Sequence, residues 1–381
     1  MKKQLLCTSA IALGVAAAAP ASAQSWDLDW GGYMNQHVAW SDASGTGLAA
    51  GTDFDGIDTL NNSEIHFTPS ITLDNGLTFG VNIQIEGNNN GGGATGIDES
   101  YMTISGDSFG KLVIGNENSA GYLSMVAAPQ VTSMYINSPS ISAFLPFTAA
   151  GVPISFRDAK YSAYTEVSAN NDVNRISYYT PNFNGLVLGV SYAATSTVNA
   201  GNNFSVNRNG AGVVSDIFDI GINYSGTIGG VDLNAGARWG TGSVNAATNP
   251  GVSDPETWGV GATVGFGGFT VGGSYAENDN GGTGGVGGIG GNAGADSDGW
   301  TFGATFDAPG PWSFEALTSQ GSSDSVAGDD DYEAYQIGAA RTLGPGVSWN
   351  IYAVWAENDD NSTAGTDIDG TIIGTAINLS F

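Results

Sequence analysis

From Trp26 to the C-terminal Phe381, almost every segment between turn signals alternates, with a large apolar or aromatic side chain at every second position. A period of two is that of a β-strand whose faces meet different surroundings. Trp26, Leu28, Trp30, Met34, Val38 and Trp40 share one face of the first segment; Asp27, Asp29, Tyr33, Asn35 and His37 share the other. Ile65, Phe67, Pro69, Ile71 and Leu73 oppose His66, Thr68, Ser70 and Thr72. The hairpin signal Asp74-Asn75-Gly76 follows, and then Leu77, Phe79, Val81, Ile83 and Ile85 alternate with Thr78, Gly80, Asn82, Gln84 and Glu86.

Continued to the end, the pattern predicts sixteen strands, at about 26–40, 62–73, 77–87, 97–106, 109–117, 172–181, 186–195, 215–225, 231–241, 256–266, 269–277, 298–307, 312–319, 331–341, 347–357 and 370–381. The connections alternate too. Short turns such as 74–76, 106–108 and 267–268 are interleaved with long polar loops at 41–61, 88–96, 118–171, 196–214, 242–255, 278–297, 320–330 and 358–369. After Gln24 no run approaches the ~18 apolar residues of a membrane helix. In hydrocarbon, however, every backbone N–H and C=O must be paired within the protein, so a spanning β-structure has to close on itself. An even number of strands of ~10 residues, with short turns at one end and long loops at the other, meets that demand. The apolar face then looks out at lipid and the polar face in at water. A soluble sandwich would alternate similarly but would hold its aromatic rings nearer strand centres. Here Trp26, Tyr178, Trp239, Trp258, Trp300, Trp312, Trp349, Trp355 and Phe381 lie on the apolar face mostly near strand ends, as at a membrane interface. The expected fold is all-β: a closed antiparallel 16-stranded transmembrane β-barrel.

Composition agrees. A formal charge of -28 repels phosphate backbones and argues against nucleic acid as a partner, while 41% hydrophobic and 10% aromatic residues exclude a disordered acidic chain. Lys2 and Lys3, the apolar run 5–19 and Ala21-Ser22-Ala23 read as a cleaved signal peptide over residues 1–23, leaving 24–381 as a single barrel domain. The one cysteine, Cys7, falls in that leader, so disulfides and thiol chemistry are not expected of the exported chain.

A barrel of sixteen strands is too wide for wall side chains to fill. The 54-residue connection 118–171 is unusually apolar for a loop (Tyr122, Leu123, Met125, Val126, Met134, Ile136, Phe144, Leu145) and would bury those groups by folding into the lumen. By alternation Lys111, Arg175 and Arg238 point inward, with the acids Asp29, Glu64, Glu86, Glu99, Asp219 and Glu315; Glu117, Arg157, Asp158, Lys160 and Glu166 belong to the long connection or its root. Each of these is either a constriction residue or simply a solvated lumen residue. His37 and His66 also point inward, without a Gly-x-Ser-x-Gly or His-Glu-x-x-His motif, so ordinary hydrogen bonds are expected of them rather than enzymatic chemistry. No cofactor is expected. Asp329-Asp330-Asp331, Asp359-Asp360, and Asp53 with Asp55 and Asp58 could hold Ca2+ among loop carboxylates; solvated acidic loops are the default reading.

The stretches Ser63-Glu64-Ile65-His66-Phe67 through Thr78-Phe79-Gly80, Ile97-Asp98-Glu99-Ser100-Tyr101 through Phe109-Gly110-Lys111-Leu112, and Asn174-Arg175-Ile176-Ser177-Tyr178-Tyr179-Thr180-Pro181, in that order, resemble the general porins of Gram-negative bacteria, the alpha-proteobacterial kind in particular. The resemblance runs over 24–381 and includes the terminal strand ending in Phe381, similar to the aromatic end read by the barrel-assembly machinery. It implies an outer-membrane homotrimer among lipid and lipopolysaccharide that passes small hydrophilic solutes, with the loop after the fifth strand narrowing the channel. It also implies a basic wall cluster facing loop acids, for which Lys111, Arg175 and Arg238 opposite Glu117, Asp158 and Glu166 are the candidates. The scarcity of inward cations departs from that pattern. The excess of lumen carboxylates leads to an expected weak cation preference. A solute-specific channel, or a plugged barrel acting as a surface protein, is the alternative; the inward aromatics Tyr33, Tyr101, Tyr179 and Tyr352 are too scattered for a sugar ladder.

Overall fold

A computed structural model of the protein describes residues 24–46, 53–87, 96–137, 139–145, 157–167, 171–199, 208, 210–281, 296–324, 328–359 and 367–381; the expected leader and parts of several long loops lie outside them. The ladder has seventeen segments, of which Gly56–Phe67 and Ser70–Thr72 both pair with Thr78–Glu86 and so form one strand, leaving sixteen. The break falls at Thr68-Pro69, where proline has no N–H to give, although its carbonyl still accepts from Val81 N at 3.0 Å.

In chain order the strands are β1 (Trp30–Ser44), β2 (Gly56–Phe67 with Ser70–Thr72), β3 (Thr78–Glu86), β4 (Ile97–Gly106), β5 (Gly110–Asn116), β6 (Asn174–Tyr179), β7 (Leu186–Thr195) and β8 (Val214–Ile228). There follow β9 (Val231–Val244), β10 (Glu256–Phe266), β11 (Phe269–Asp279), β12 (Ser297–Asp307), β13 (Trp312–Ser323), β14 (Asp330–Gly344), β15 (Val347–Asp359) and β16 (Ile368–Ser380). Each pairs antiparallel with the next, and β1 closes on β16 from Tyr33↔Ser380 to Ser44↔Asp369. Phe381 extends the seam: its N–H donates to Gly32 O at 3.1 Å and its carbonyl accepts from Gly32 N at 3.0 Å. Two short helices, α1 (Ala120–Leu123) and α2 (Pro139–Ser142), lie in the long connection between β5 and β6.

The apolar face is outside. Val38 (44% exposed), Ile222 (39%), Val260 (46%), Val264 (47%), Phe302 (54%) and Ile337 (52%) would be anomalous in a water-soluble protein but suit a lipid solvent. Two aromatic belts bound this band and are visible in the cross-strand register. Near the long loops Trp239 pairs with Trp258, Tyr275 with Trp300 and Tyr335 with Trp355; near the short turns Phe269 faces Phe266 on one side and Phe306 on the other, which in turn meets Phe314.

The strand count stands as expected, but several ends differ. The first strand begins at Trp30 rather than 26 and runs to Ser44, and its partner begins at Gly56 rather than 62. Likewise β9 runs to Val244 rather than 241 and β13 to Ser323 rather than 319. Above the membrane band both faces of a strand are polar, so alternation fades while backbone pairing continues. A reading based on apolar period therefore stops too early on the long-loop side.

Outer and inner positions should respond oppositely to charge. Ala262→Arg, on the lipid face midway between Trp258 and Phe266 of the two belts, is expected to cost about 2–4 kcal/mol of folding free energy in bilayers. Thr263→Arg, one residue away on the lumen face, should change stability by less than about 1 kcal/mol. Equilibrium unfolding of the lipid-refolded protein measures both; equal costs would refute the assignment of faces.

Candidate functional site

The connection between β5 and β6 lies along the inner wall. Its helix α1 starts at Ser119, whose side-chain oxygen accepts from Tyr122 N at 3.1 Å, a capping interaction. Ala120 N donates to Ser191 Oγ on β7 (3.1 Å), Asn223 Nδ2 on β8 donates to Ser124 O (3.3 Å), and Ala128 N donates to Thr301 Oγ1 on β12 (3.1 Å). The chain then meets Glu315 on β13. Its Oε2 accepts from Val131 N (2.5 Å) and Thr132 N (3.0 Å), and its Oε1 from Thr132 Oγ1 (2.5 Å) and from Gln336 Nε2 on β14 (2.7 Å). Ser133 donates to Asn350 Oδ1 on β15 and lies 3.4 Å from His37 Nε2 on β1, while His37 Nδ1 is 3.0 Å from Tyr352 Oη. Both histidines make ordinary hydrogen bonds; His66 Nε2 lies 3.0 Å from Glu64 Oε2. Beyond them Ile141, Phe144 and Leu145 complete an apolar cluster with Ala39, Leu60, Val354, Ile368 and Ile372.

The returning limb, 157–167, is held by a second set of wall groups. Ala159 N donates to Asn278 Oδ1 on β11 (2.9 Å), Tyr161 Oη to Asn358 Oδ1 on β15 (2.9 Å), and Asn278 Nδ2 to Glu166 O (3.0 Å). Arg238 on β9 is only 4% exposed; its guanidinium donates to Asp219 on β8 and to Thr165 O, with Glu166 Oε2 at 4.0 Å. Glu166 in turn accepts from Ser119 N (3.1 Å) and Ser119 Oγ (2.9 Å), so this cluster ties both ends of the loop together. Neither limb would fit against a wall carrying side chains throughout. A Cβ on Gly221, Gly236, Gly261, Gly299 or Gly321 would run into the carbonyl oxygen of Ala120, Ser124, Val126, Ala159 or Lys160 respectively. A lane of inward glycines across β8 to β13 thus provides the depth in which the loop backbone lies.

The wall between β2 and β4 carries carboxylates instead. Glu64, Glu86 and Asp98 bring one oxygen each within 4.8 Å of one another, and they are the group of potential metal ligands found among the described residues. Asp98 points inward because the β3–β4 register shifts between Ile83 and Ile85, placing an extra residue on β4 so that Asp98 and Glu99 both leave the lipid face. Strict alternation misses this. Glu99 is buried, accepting from Gln84 Nε2 (2.6 Å) and Asn118 Nδ2 (2.7 Å). Asp172, which precedes β6 with φ 49°, was also not legible as a lumen acid from alternation.

The other expected residues are distributed unevenly. Lys111 is exposed and stands over the Tyr179 ring at the short-turn end of β5, about 16 Å along the strand from the loop root at Asn116, not beside the loop. Asp29 is exposed on the same rim, accepting from Trp30 N at 3.0 Å. Arg175 (2% exposed), Arg157 (8%) and Lys160 (4%) are buried; Arg157 lies over the Tyr122 ring at 4.2 Å, and Lys160 near that of Tyr161 at 5.2 Å. Burial pushes the carboxyl pKa values of Glu117, Asp158 and Asp172 above the usual range. For Asp158 the hydrogen bonds from Ser297 and Lys160 N, with the Lys160 charge, offset part of that. For Asp172 the charges of Arg157 and Arg175 do the same. Of the loop acids considered as calcium ligands, Asp55 accepts from Ala43 N (2.8 Å) and Asp53 from Asp55 N (3.0 Å), whereas Asp360 lies outside the described residues.

Residues 8–362 match the family model of a Gram-negative porin. Among curated protein sequences, none matches this chain. Solved structures share the fold. The anion-selective porin of Comamonas acidovorans is 18% identical, covering 94% of this chain and all of its own with a TM-score of 0.59. Salmonella typhi OmpF, in complex with daunomycin, is 16% identical over 93% of this chain and 97% of its own, with a TM-score of 0.60. The outer-membrane protein OmpT of Vibrio cholerae, in its trimer form, is 10% identical over 94% and 100%, with a TM-score of 0.59.

Glu315→Ala would leave the Val131 and Thr132 N–H groups and the Thr132 hydroxyl without their acceptor, while the Gln336 amide keeps Met134 O, a loss of roughly 1–3 kcal/mol per buried group left unpaired. The variant should show excess open-channel current noise and an earlier thermal transition, whereas Glu315→Gln should retain more of the loop contacts. Gly261→Val should displace the Val126 segment and change conductance without abolishing the barrel. Single-channel recording with heat-shifted electrophoresis tests these expectations, and unchanged conductance and noise in both Glu315→Ala and Gly261→Val would refute the seating described.

Proposed function

The chain belongs to the Gram-negative porins, channels of the bacterial outer membrane, and we propose that it is a trimeric general-diffusion channel for small hydrophilic solutes with a preference for cations. The observation that carries the selectivity is the wall sector of Glu64, Glu86 and Asp98, whose oxygens lie within 4.8 Å and in which Glu86 and Asp98 are half-buried and Glu64 is buried. Cations do not balance it at close range in an exposed form: Arg157, Lys160, Arg175 and Arg238 are 8%, 4%, 2% and 4% exposed, sunk in the loop-wall contact. Closely spaced carboxylates beside a water path raise the local concentration of cations and exclude anions. The Comamonas protein is anion-selective on the same fold, so the fold leaves the sign open and the side chains must determine it. The trimer follows the state of the Vibrio OmpT structure. Lipopolysaccharide outside, and recognition of Phe381 during assembly, belong to the same reading.

In a planar bilayer under a tenfold KCl gradient, the reversal potential should report potassium passing faster than chloride. Neutralisation of the sector by Glu64→Gln, Glu86→Gln and Asp98→Asn should move the permeability ratio toward one. Chloride preference in the unaltered protein would defeat the proposal. Liposome swelling with graded sugars should show sieving by size; saturation with discrimination between isomers would instead favour a solute-specific channel.

A further inference from the structure

Glu64 and Glu86 stand directly opposite each other on the inner wall, paired in the β2–β3 register. Like charges so placed repel and weaken a sheet. The wall nevertheless adds a third carboxylate beside them, because the irregularity between Ile83 and Ile85 turns Asp98 of β4 inward. The three bring one oxygen each within 4.8 Å of one another. Two oxygens on opposite sides of a calcium ion, each about 2.4 Å from it, are about 4.8 Å apart, so the spacing is that of ligands sharing one ion.

A second observation is independent of that spacing. Glu64 is 5% exposed, and while its Oε2 lies 3.0 Å from His66 Nε2, its Oε1 is buried with no hydrogen-bond donor. Asp172, 7% exposed, is in the same condition: Asn171 Nδ2 donates to its Oδ2 at 2.8 Å, and its Oδ1 has no donor. The charge of Asp172 acts on both Glu86 and Asp98. Arg157, whose charge also reaches Asp98, is engaged with the Tyr122 ring at 4.2 Å. A buried carboxylate oxygen without a donor has given up water uncompensated, which is expensive unless a proton or a metal ion replaces it. Every donor atom here is an oxygen, and Glu86 and Asp98 are only half-buried, so water of the lumen reaches the group. Calcium takes about six to eight oxygens in irregular geometry, whereas magnesium demands an octahedron. We propose that Glu64, Glu86 and Asp98 bind a divalent cation on the lumen wall, calcium in preference to magnesium, with water completing its shell. Bound there, the ion cancels two of the sector's negative charges and lowers the preference of the channel for potassium over chloride. The site itself stands on the geometry; its effect on permeation rests on the cation-selective reading above.

The test titrates the full-length protein, refolded in detergent, with terbium(III), whose emission is excited through tyrosines such as Tyr33, opposite Glu64 in the β1–β2 register. Calcium should displace terbium at concentrations about tenfold or more below those that magnesium needs. Asp98→Asn and, separately, Glu86→Gln should weaken calcium binding about tenfold or more, because affinity follows the charge of the ligands. The rim variant Glu357→Gln with Asp359→Asn should leave it unchanged, and heat-shifted electrophoresis verifies that each variant is folded. In planar bilayers, CaCl2 at about 1 mM, the range of extracellular oxygen sites, should move the potassium-to-chloride permeability ratio of the wild type toward one. EGTA should restore it, and the Asp98→Asn channel should not respond. Binding that is absent, or that follows the rim variant and not the wall variants, would overturn the site and leave the selectivity reading to its own reversal potential. A wild type that prefers chloride yet binds calcium through the wall carboxylates would defeat the selectivity reading and keep the site. An unmoved permeability ratio at saturating calcium would overturn the effect on permeation.

Discussion

Backbone pairing in a solvent that offers no hydrogen bonds is the constraint from which the rest of the structure follows. A single unpaired strand edge in hydrocarbon would expose a row of N–H and C=O groups, each costing several kcal/mol. The ladder therefore runs from β1 through every neighbour to β16 and back, and its seam continues to Phe381. Closure also sets the chemistry of the side chains. Once a ribbon separates lipid from water, a period of two is enough to tell every residue which solvent it meets. The chain needs no cysteine beyond residue 7 to hold this arrangement, since the pairing is continuous around the ring.

Closing so many strands creates a second problem, because the interior is too wide to fill with wall side chains. The protein solves it with a segment of its own. The loop between β5 and β6 builds what amounts to an internal core: Met134, Ile136, Ile141 and Leu145 have no solvent exposure, although they lie within a barrel whose lumen faces are polar. The wall yields to the loop in two ways. Glycines give depth for its backbone, and Glu315, Asn350, Asn278 and Arg238 supply the partners its polar groups would lose on leaving water. Each of these side chains is buried, so a satisfied hydrogen bond there is modestly stabilising and an unsatisfied one is expensive.

That division explains what the sequence made legible. The strand count, the closed sheet and the inward loop all follow from period, turn chemistry and the apolar content of one long connection. The glycine lane did not stand out, because 59 glycines dilute the signal and only tertiary proximity distinguishes Gly261 from a glycine in a turn. Alternation put Arg238 and Glu315 on the correct face but gave no depth along the strand. Lys111 shares the inward face of β5 and yet stands at the far rim. The error at Asp98 is of another kind: one extra residue in β4 reverses the face of what precedes it, and nothing in the local composition announces a bulge.

The electrostatics follow from the same packing. Anchoring a loop to a wall inside a barrel uses charged and hydrogen-bonding groups, and in this chain Arg238 and Arg157 are drawn into that contact. Arg238 sits between Asp219, Glu166 and Thr165, and Arg157 lies against Tyr122. In a chain with 9 Lys+Arg against 37 Asp+Glu, Arg238 takes both Asp219 and Glu166 into the same buried contact. Coulomb fields from buried pairs largely cancel at a distance, whereas Glu64, Glu86 and Asp98 converge without an exposed cation among them. Loop seating and the distribution of charge are therefore coupled in this barrel: the contacts that hold the loop to the wall bury Arg238 with Asp219 and Glu166, while Glu64, Glu86 and Asp98 gather on another sector.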